Sequence, residues 1–192
     1  MATPMTTPDT LANTMRAAHD WGLASWLGGS MFGKFALNPA VAAISDKSER
    51  GKVVNAAWNG YNVINTAGLG AVAVGWLGAR ATEARNGNLS DRERSLSYVK
   101  DALVVSAVGT GIANGIQGAR LAKQAPDGAV PIERGVVPAA ETPAKAAGIQ
   151  RSLGALGTIN IALGVGLIVV NAVLAQTNYS HPPAKRALLR RS

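Results

Sequence analysis

The sequence predicts an all-α integral membrane protein, a bundle of four spanning helices. The first observation is that four stretches are predominantly apolar over roughly the thickness of a bilayer, at about 21–43, 53–79, 102–119 and 152–176. A membrane-spanning helix needs about 20 mostly apolar residues. The second observation is the abundance of glycine, 22 residues in 192, which is typical of membrane helices that approach one another closely.

Capping residues and prolines mark where the helices begin and end, and they predict helices over 10–38, 47–80, 91–124 and 143–176. Pro39 is expected to end or kink the first helix, because its ring removes a backbone donor. The expected caps are, in chain order, Asp9, then Ser45 or Asp46, then Ser90 with Glu93 as a capping box, and Thr142 before Pro143.

The segments outside the spans divide the chain into three parts. Residues 1–20 are predicted to form a cytoplasmic or interfacial N-terminal segment, residues 21–176 the membrane domain, and residues 177–192 a basic, disordered tail. Anionic lipid is a candidate partner of that tail. The connector from 125 to 142 contains three prolines and is expected to be extended or mobile. A slight excess of Lys and Arg on the side of the termini favours cytoplasmic termini.

Charge and composition narrow the function classes. The net charge of +8 comes from residues in the connectors and tail, not from one stripe with aromatic residues between, so we expect no nucleic-acid partner. The chain has no cysteine, which excludes disulfides, thiol catalysis and Cys-type zinc or iron–sulfur sites. The four tryptophans lie near the predicted span ends, which is typical of an interfacial belt.

Each predicted span carries one stripe of polar residues. Their spacing keeps each set on one helix face, and amides that faced lipid would be unsatisfied, so the stripes are predicted to point inward. They comprise Lys34 and Asn38; Asn55, Asn59 and Asn62; Thr110, Asn114 and Gln117; and Asn160 and Asn171. Glycines on or near these faces are predicted to allow close helix packing: Gly29, Gly33, Gly111, Gly115, Gly157 and Gly164.

Two interpretations of these stripes remain open. In the structural one, the amides are hydrogen-bonding contacts between helices, worth on average about 0.6 kcal/mol each. In the functional one, they line a polar cavity or solute path. Lys34 interrupts the first apolar run, where a cation costs about 2.5–3.5 kcal/mol at the bilayer centre on insertion scales. It is expected either to extend to the interface or to face the amides and bind an anion.

Signatures of catalysis are missing from the sequence. No HExxH, GxSxG or Walker A pattern occurs, and neither histidine, His19 nor His181, lies in the middle of a predicted span. Met15 and His19 lie one turn apart, which more often marks an ordinary helix face than a copper site. We therefore predict no catalytic residue, no cofactor and no metal site.

The first helical pair carries a resemblance to known membrane families. Residues 19–29, HDWGLASWLGG, resemble the start of copper-resistance D-like membrane proteins. Residues 26–29, 38–40 and 51–54, with Phe32 or Phe35 and Tyr61, are similar to a small bacterial four-helix family of unknown function. The resemblance covers about 45 residues. It implies a four-helix fold in a bacterial inner membrane and no settled activity. A copper role would need additional His or Met ligands that this chain lacks.

The sequence thus favours a non-enzymatic, multi-pass protein of a bacterial plasma membrane. The leading hypothesis is an accessory or scaffold subunit that packs against other membrane proteins or against copies of itself. The alternative is a small transporter or channel component whose polar path is lined by Lys34 and the amides.

Overall fold

The computed structural model describes residues 7–125 and 129–180, with side chains described for 10–125 and 129–177. It is mostly helical, and the four predicted helices are present. They are α1, Thr7–Phe32; α2, Lys47–Ala81; α3, Asp91–Ala122; and α4, Ala144–Ser180. α1 continues through a π-helical turn, Gly33–Leu37, an α-helical turn, Asn38–Ala40, and a 3-10 turn, Val41–Ala43; another 3-10 turn, Asn86–Asn88, precedes α3. Two strands, β1 (Ile132–Arg134) and β2 (Val137–Pro138), pair antiparallel between α3 and α4.

Three of the four helices meet the requirements for a membrane span. Among the described residues, α2, α3 and α4 are each long and apolar enough to cross a bilayer, and α1 does not qualify. The expected first span, 21–43, therefore differs from the structure. Its regular α-helix ends at Phe32, and Arg16, His19 and Asp20 occupy the turns before the apolar part.

Two of the four expected helix caps are confirmed. Asp46 accepts a hydrogen bond from the backbone N–H of Glu49 (2.8 Å), which satisfies one free donor at the start of α2. Ser90 and Glu93 form the complete capping box of α3. α1 begins at Thr7, upstream of Asp9, so Asp9 does not precede the helix as a cap would, and its side chain lies outside the described set.

The prediction for Thr142 was wrong, and of the two alternatives for Pro39 the structure contradicts the one in which the helix ends there. The Thr142 hydroxyl accepts from the backbone N–H of Ala139 (2.9 Å) and donates to the carbonyl of Pro131 (2.6 Å), so it fastens the connector instead of capping α4. Helical backbone continues past Pro39 to Ala43. Just before the proline, the backbone hydrogen bonds change from the α-helical to the π-helical spacing, so that the N–H of Asn38 donates to the carbonyl of Gly33, five residues earlier.

The helices form two closely packed antiparallel pairs, α1 with α2 and α3 with α4. Glycine brings α1 and α2 together: a methyl group added at Gly68 would lie 2.9 Å from the carbonyl oxygen of Gly22. The shared core is apolar and closed to solvent at its centre, since Val72, Ala107 and Leu167 have no exposed surface. Trp26 and Trp76 are buried in or beside this core rather than in an interfacial belt.

A small hairpin, residues 130–142, closes one end of the bundle, where the sequence predicted an extended or mobile connector. Gly135, with a φ of +51°, makes the turn between its strands. Ile132 is 2% exposed and packs with Val41 and Val54 in a small second core. The Arg50 guanidinium donates to the carbonyl of Glu133 (2.8 Å), which fixes the hairpin to α2. We call this the hairpin end; the opposite end contains His19.

Candidate functional site

Three hydrogen-bonded side-chain pairs, here called rungs, connect α3 with α4. The helices are antiparallel, so the pairs occur at successive levels: Lys100 Nζ to Asn171 Oδ1 (2.7 Å), Thr110 Oγ1 to Asn160 Oδ1, and Gln117 Nε2 to Ser152 Oγ (3.0 Å). At a rise of about 1.5 Å per residue, the rungs are about 15 and 10 Å apart along α3. Four residues of the predicted stripes therefore take part in contacts between α3 and α4, and two of them, Thr110 and Asn160, pair with each other.

The space between the first two rungs is apolar. Val104, Ala107 and Leu167 fill it, with at most 6% of each residue exposed. The middle rung is itself enclosed, because Asn160 is 5% exposed. Among the described residues, therefore, no continuous hydrogen-bonded path runs between the first and second rungs along the α3–α4 interface. The rungs act as separate contacts that fix the register of the two helices.

The first rung belongs to a larger polar cluster at the end opposite the hairpin: His19, Asp20, Lys100, Asp101 and Asn171. The Lys100 ammonium is enclosed, with the residue 3% exposed, and lies 4.2 Å from the centre of the Trp76 ring. Asn171 accepts from Lys100 and donates through its amide nitrogen to Asp20 (3.0 Å). One amide thus connects a buried cation on α3 to a carboxylate on α1.

The edge of this cluster is an ion pair with aromatic contacts. Trp76 Nε1 donates to Asp101 (2.7 Å), and Arg80 pairs with the other oxygen of the same carboxylate (3.2 Å). The Arg80 guanidinium also lies 5.7 Å from the centre of the Tyr98 ring. These contacts join the end of α2 to the start of α3 and keep Trp76 over Lys100.

His19 is the most enclosed residue of the cluster on α1, with 3% exposed. Its Nδ1 lies 3.1 Å from Asp20, whereas its Nε2 is buried without a hydrogen-bond partner among the described residues. Burial and then the charge of Lys100 lower the pKa of His19, and Asp20 opposes this shift. This lowering favours the neutral form of the imidazole. No group of three His, Cys, Asp or Glu residues suited to a metal ion occurs in the described chain.

Lys34 and Asn38, predicted to form the polar stripe of the first helix, each have a hydrogen-bond partner on a different helix. Lys34, in the π-helical turn, donates to the Thr158 hydroxyl of α4. Asn38 accepts a weak hydrogen bond from Trp58 Nε1 (3.4 Å) and lies beside Gly135 of the hairpin. Lys34 thus contacts α4, and Asn38 contacts α2 and the hairpin.

Two of the three predicted amides of α2, Asn59 and Asn62, point away from the bundle, which corrects the expectation that they face inward. Asn59 and Asn62 are exposed, and neither side chain forms a hydrogen bond within the described residues. Asn55 and, on α3, Asn114 are half-buried. The physical reason is that the buried face of α2 is already occupied by glycine and large apolar side chains, including Gly68, Leu69 and Val72.

Four of the six predicted packing glycines lie against another helix. A methyl group would clash with Tyr61 at Gly29, with Trp58 at Gly33, with Leu69 at Gly111 and with Leu27 at Gly164. The prediction was wrong for Gly115 and Gly157, where such a group would meet nothing within 4 Å. The glycines at which the backbones of α1 and α2 meet, Gly22, Gly68 and Gly75, were not predicted from the sequence. A methyl group at Gly75 would lie 2.6 Å from the Met15 carbonyl oxygen.

The polar cluster was missed because its charges lie just outside the apolar runs. Asp20 directly precedes the run that begins at Trp21, and Lys100 and Asp101 directly precede the run that begins at Ala102. Such residues ordinarily meet water or headgroups. The available signal was that charged residues from two helices and an amide from a third occur at the same predicted depth. Comparison with family models, curated proteins and solved structures finds no match for this chain, so the resemblance of its first helical pair stays a prediction.

Proposed function

We propose that this protein is a non-enzymatic subunit of a bacterial plasma-membrane assembly, attached through the exposed amide face of α2. The carrying observation is that Asn59 and Asn62 project from a helix apolar enough to span a bilayer, without a hydrogen-bond partner in the described chain. In hydrocarbon an unsatisfied amide costs several kcal/mol. Hydrogen bonds to another membrane protein would remove that cost.

The surroundings of the two amides fit a helix partner. Leu77 and Val63 are 65% and 75% exposed on or beside the same face, so apolar contact is available around the hydrogen-bonding groups. Asn side chains carry both donors and an acceptor. A partner helix that presents an Asn, Gln, Ser or Thr at this depth would satisfy them. We take the occupant to be a spanning helix of a different membrane protein, as expected of an accessory subunit.

A photo-crosslinking amino acid at position 66 tests this proposal in native membranes. Thr66 is exposed and lies one turn beyond Asn62 on the amide face. We expect one stoichiometric adduct whose crosslinked peptide comes from a spanning helix of another protein. The double variant Asn59→Leu with Asn62→Leu should lose the adduct.

Position 64 provides the matched control. Ile64 is 48% exposed, and at about 100° per residue it lies nearly half a turn away from Asn62. A crosslinker there should not give the same adduct. An adduct of equal yield at both positions, or one that survives removal of the amides, would refute the proposed face. A crosslink only between two copies of this chain would show a homo-oligomer and overturn the accessory role.

A further inference from the structure

A basic cleft lies at the hairpin end of the bundle, between the end of α3 and the start of α4. Its volume is about 470 Å³, and its lining includes Gln117, Arg120, Lys123 and Lys145. The backbone of Gly148 also lines it, where an added methyl group would meet nothing within 4 Å. The cleft therefore has room for a group larger than water beside three cations.

The three cations, Arg120, Lys123 and Lys145, have no acidic partner among the described residues. Arg120 instead donates to the amide oxygen of Gln117 (3.3 Å). α4 begins at Ala144, so its first turn, with the positive end of the helix dipole, opens at the same place. Three unneutralised charges beside a cleft favour an anionic occupant.

An apolar stripe runs along α3 directly into this cleft. Ile112 and Ile116 are 59% and 48% exposed, and Arg120 and Lys123 follow at the next two turns of the same face. This order, two exposed isoleucines and then two cations, matches a molecule with an acyl chain and an anionic head. Because α3 is apolar enough to span a bilayer, its end is where headgroups would lie.

We propose that this cleft binds the phosphate of an anionic phospholipid. Arg120, Lys123 and Lys145 surround the phosphate, and one acyl chain lies along Ile112 and Ile116. Arg and Lys are the residues that bind lipid phosphate at headgroup depth. The site is separate from the amide face of α2, and it requires only that α3 lie in a membrane.

Native mass spectrometry of the full chain in detergent, titrated with phosphatidylglycerol or phosphatidylcholine of identical acyl chains, tests the site. We expect the chain to bind phosphatidylglycerol more tightly. The variant Arg120→Gln with Lys145→Gln should weaken that binding about 30-fold, from the usual contribution of two cations near a membrane surface. Phosphatidylcholine binding should change little.

The matched control is Arg85→Gln with Arg92→Gln, which removes two exposed charges at the opposite end of the bundle, one in the α2–α3 connector and one in the first turn of α3. It should leave phosphatidylglycerol binding unchanged; an equal loss would reduce the effect to net charge and overturn the site. Equal binding of both lipids by the unaltered chain would also overturn it. Excess inorganic phosphate should not displace the lipid, and full displacement would indicate a free-anion site instead. Ile116→Ser should weaken lipid binding without removing a charge, which separates the acyl-chain contact from the electrostatic one.

Discussion

The α1–α2 pair and the α3–α4 pair are held together by different chemistry. In the first pair, glycines let the two backbones touch, as at Gly22 and Gly68. In the second, side-chain hydrogen bonds cross the seam, as from Lys100 to Asn171. The first interface therefore depends chiefly on small residues, although the Tyr61 hydroxyl also donates to the Ser25 carbonyl across it. The second adds polar side-chain pairs to an apolar core. Adding volume at a glycine should destabilise the α1–α2 interface, and removing a polar partner should destabilise the α3–α4 interface. Each change should leave the other interface intact.

The largest effect is expected at Gly22. A side chain there would meet the carbonyl oxygen of Gly68 and, at 2.9 Å, the Cβ of Ala71, so the helices would have to separate. Gly22→Val should destabilise the fold by about 3 kcal/mol, the upper range for overpacking. Unfolding in mixed micelles with increasing dodecyl sulfate, followed by circular dichroism, measures this change.

The control for Gly22 is Gly28 on the same helix. An added methyl group at Gly28 would meet nothing within 4 Å, so Gly28→Val should have only the small effect of helix propensity. Equal losses for the two variants would mean that close approach at Gly22 does not hold the α1–α2 pair together.

A smaller loss is expected in the α3–α4 seam when Asn171 is replaced. Asn171→Leu removes the acceptor of the buried Lys100 ammonium and should cost about 2–3 kcal/mol, as for a hydrogen bond to a charged group. Lys100→Met with Asn171→Leu should recover most of this loss, because no unpaired cation is left. The same unfolding measurement gives both values.

The variant Asn62→Leu tests whether an exposed amide contributes less to the stability of the fold than Asn171, which pairs with Lys100. Asn62 is exposed and makes no hydrogen bond within the described chain, so its replacement should change the stability of the isolated chain by no more than about 0.5 kcal/mol. If Asn62→Leu were as damaging as Asn171→Leu, the distinction between outward and inward amides would be lost.

The smallest expected effect is a change with pH in how firmly the hairpin is held against α2. Lys47 pairs with Glu133 (2.7 Å) and Glu141 (3.2 Å). These carboxylates raise the pKa of Lys47, and a backbone hydrogen bond, followed by Lys47, lowers the pKa of Glu141 from its ordinary 4.5. The Glu141 carboxylate, paired with Lys47, therefore contributes fully to holding the hairpin against α2 above pH 4.5. This contribution is lost as the pH falls through the lowered pKa of Glu141. The Lys47 contribution is lost only as the pH rises through its raised pKa, above 10.5.

Hydrogen exchange of the amides from 132 to 138, corrected for the intrinsic effect of pH, measures this docking. Protection should decrease on acidification from neutral pH to below about pH 4. Glu141→Gln should reduce protection slightly at neutral pH and flatten its acid dependence. An unchanged acid dependence in Glu141→Gln would contradict the assignment of the effect to Glu141.

The sequence by itself determined the number of helices, their bounds to within a few residues and the caps at Asp46 and Ser90. These features depend on local chemistry: apolar periodicity, backbone donors at helix starts and the oxygen atoms that satisfy them. It also placed Asn59 and Asn62 on one face of α2, because 3.6 residues per turn fixes which side chains share a face. It did not do so for Lys34 and Asn38, where a π-helical turn intervenes and the two side chains contact different helices.

Only the tertiary structure decided which way each stripe points. Asn59 on α2 and Asn160 on α4 belong to similar stripes in the sequence, yet the first is exposed and the second is 5% exposed. Helix periodicity defines a face but not its rotation toward neighbours, which follows from packing of the whole bundle. The closest glycine contacts and the cluster around Lys100 were decided in the same way, because each joins residues that are far apart in the chain.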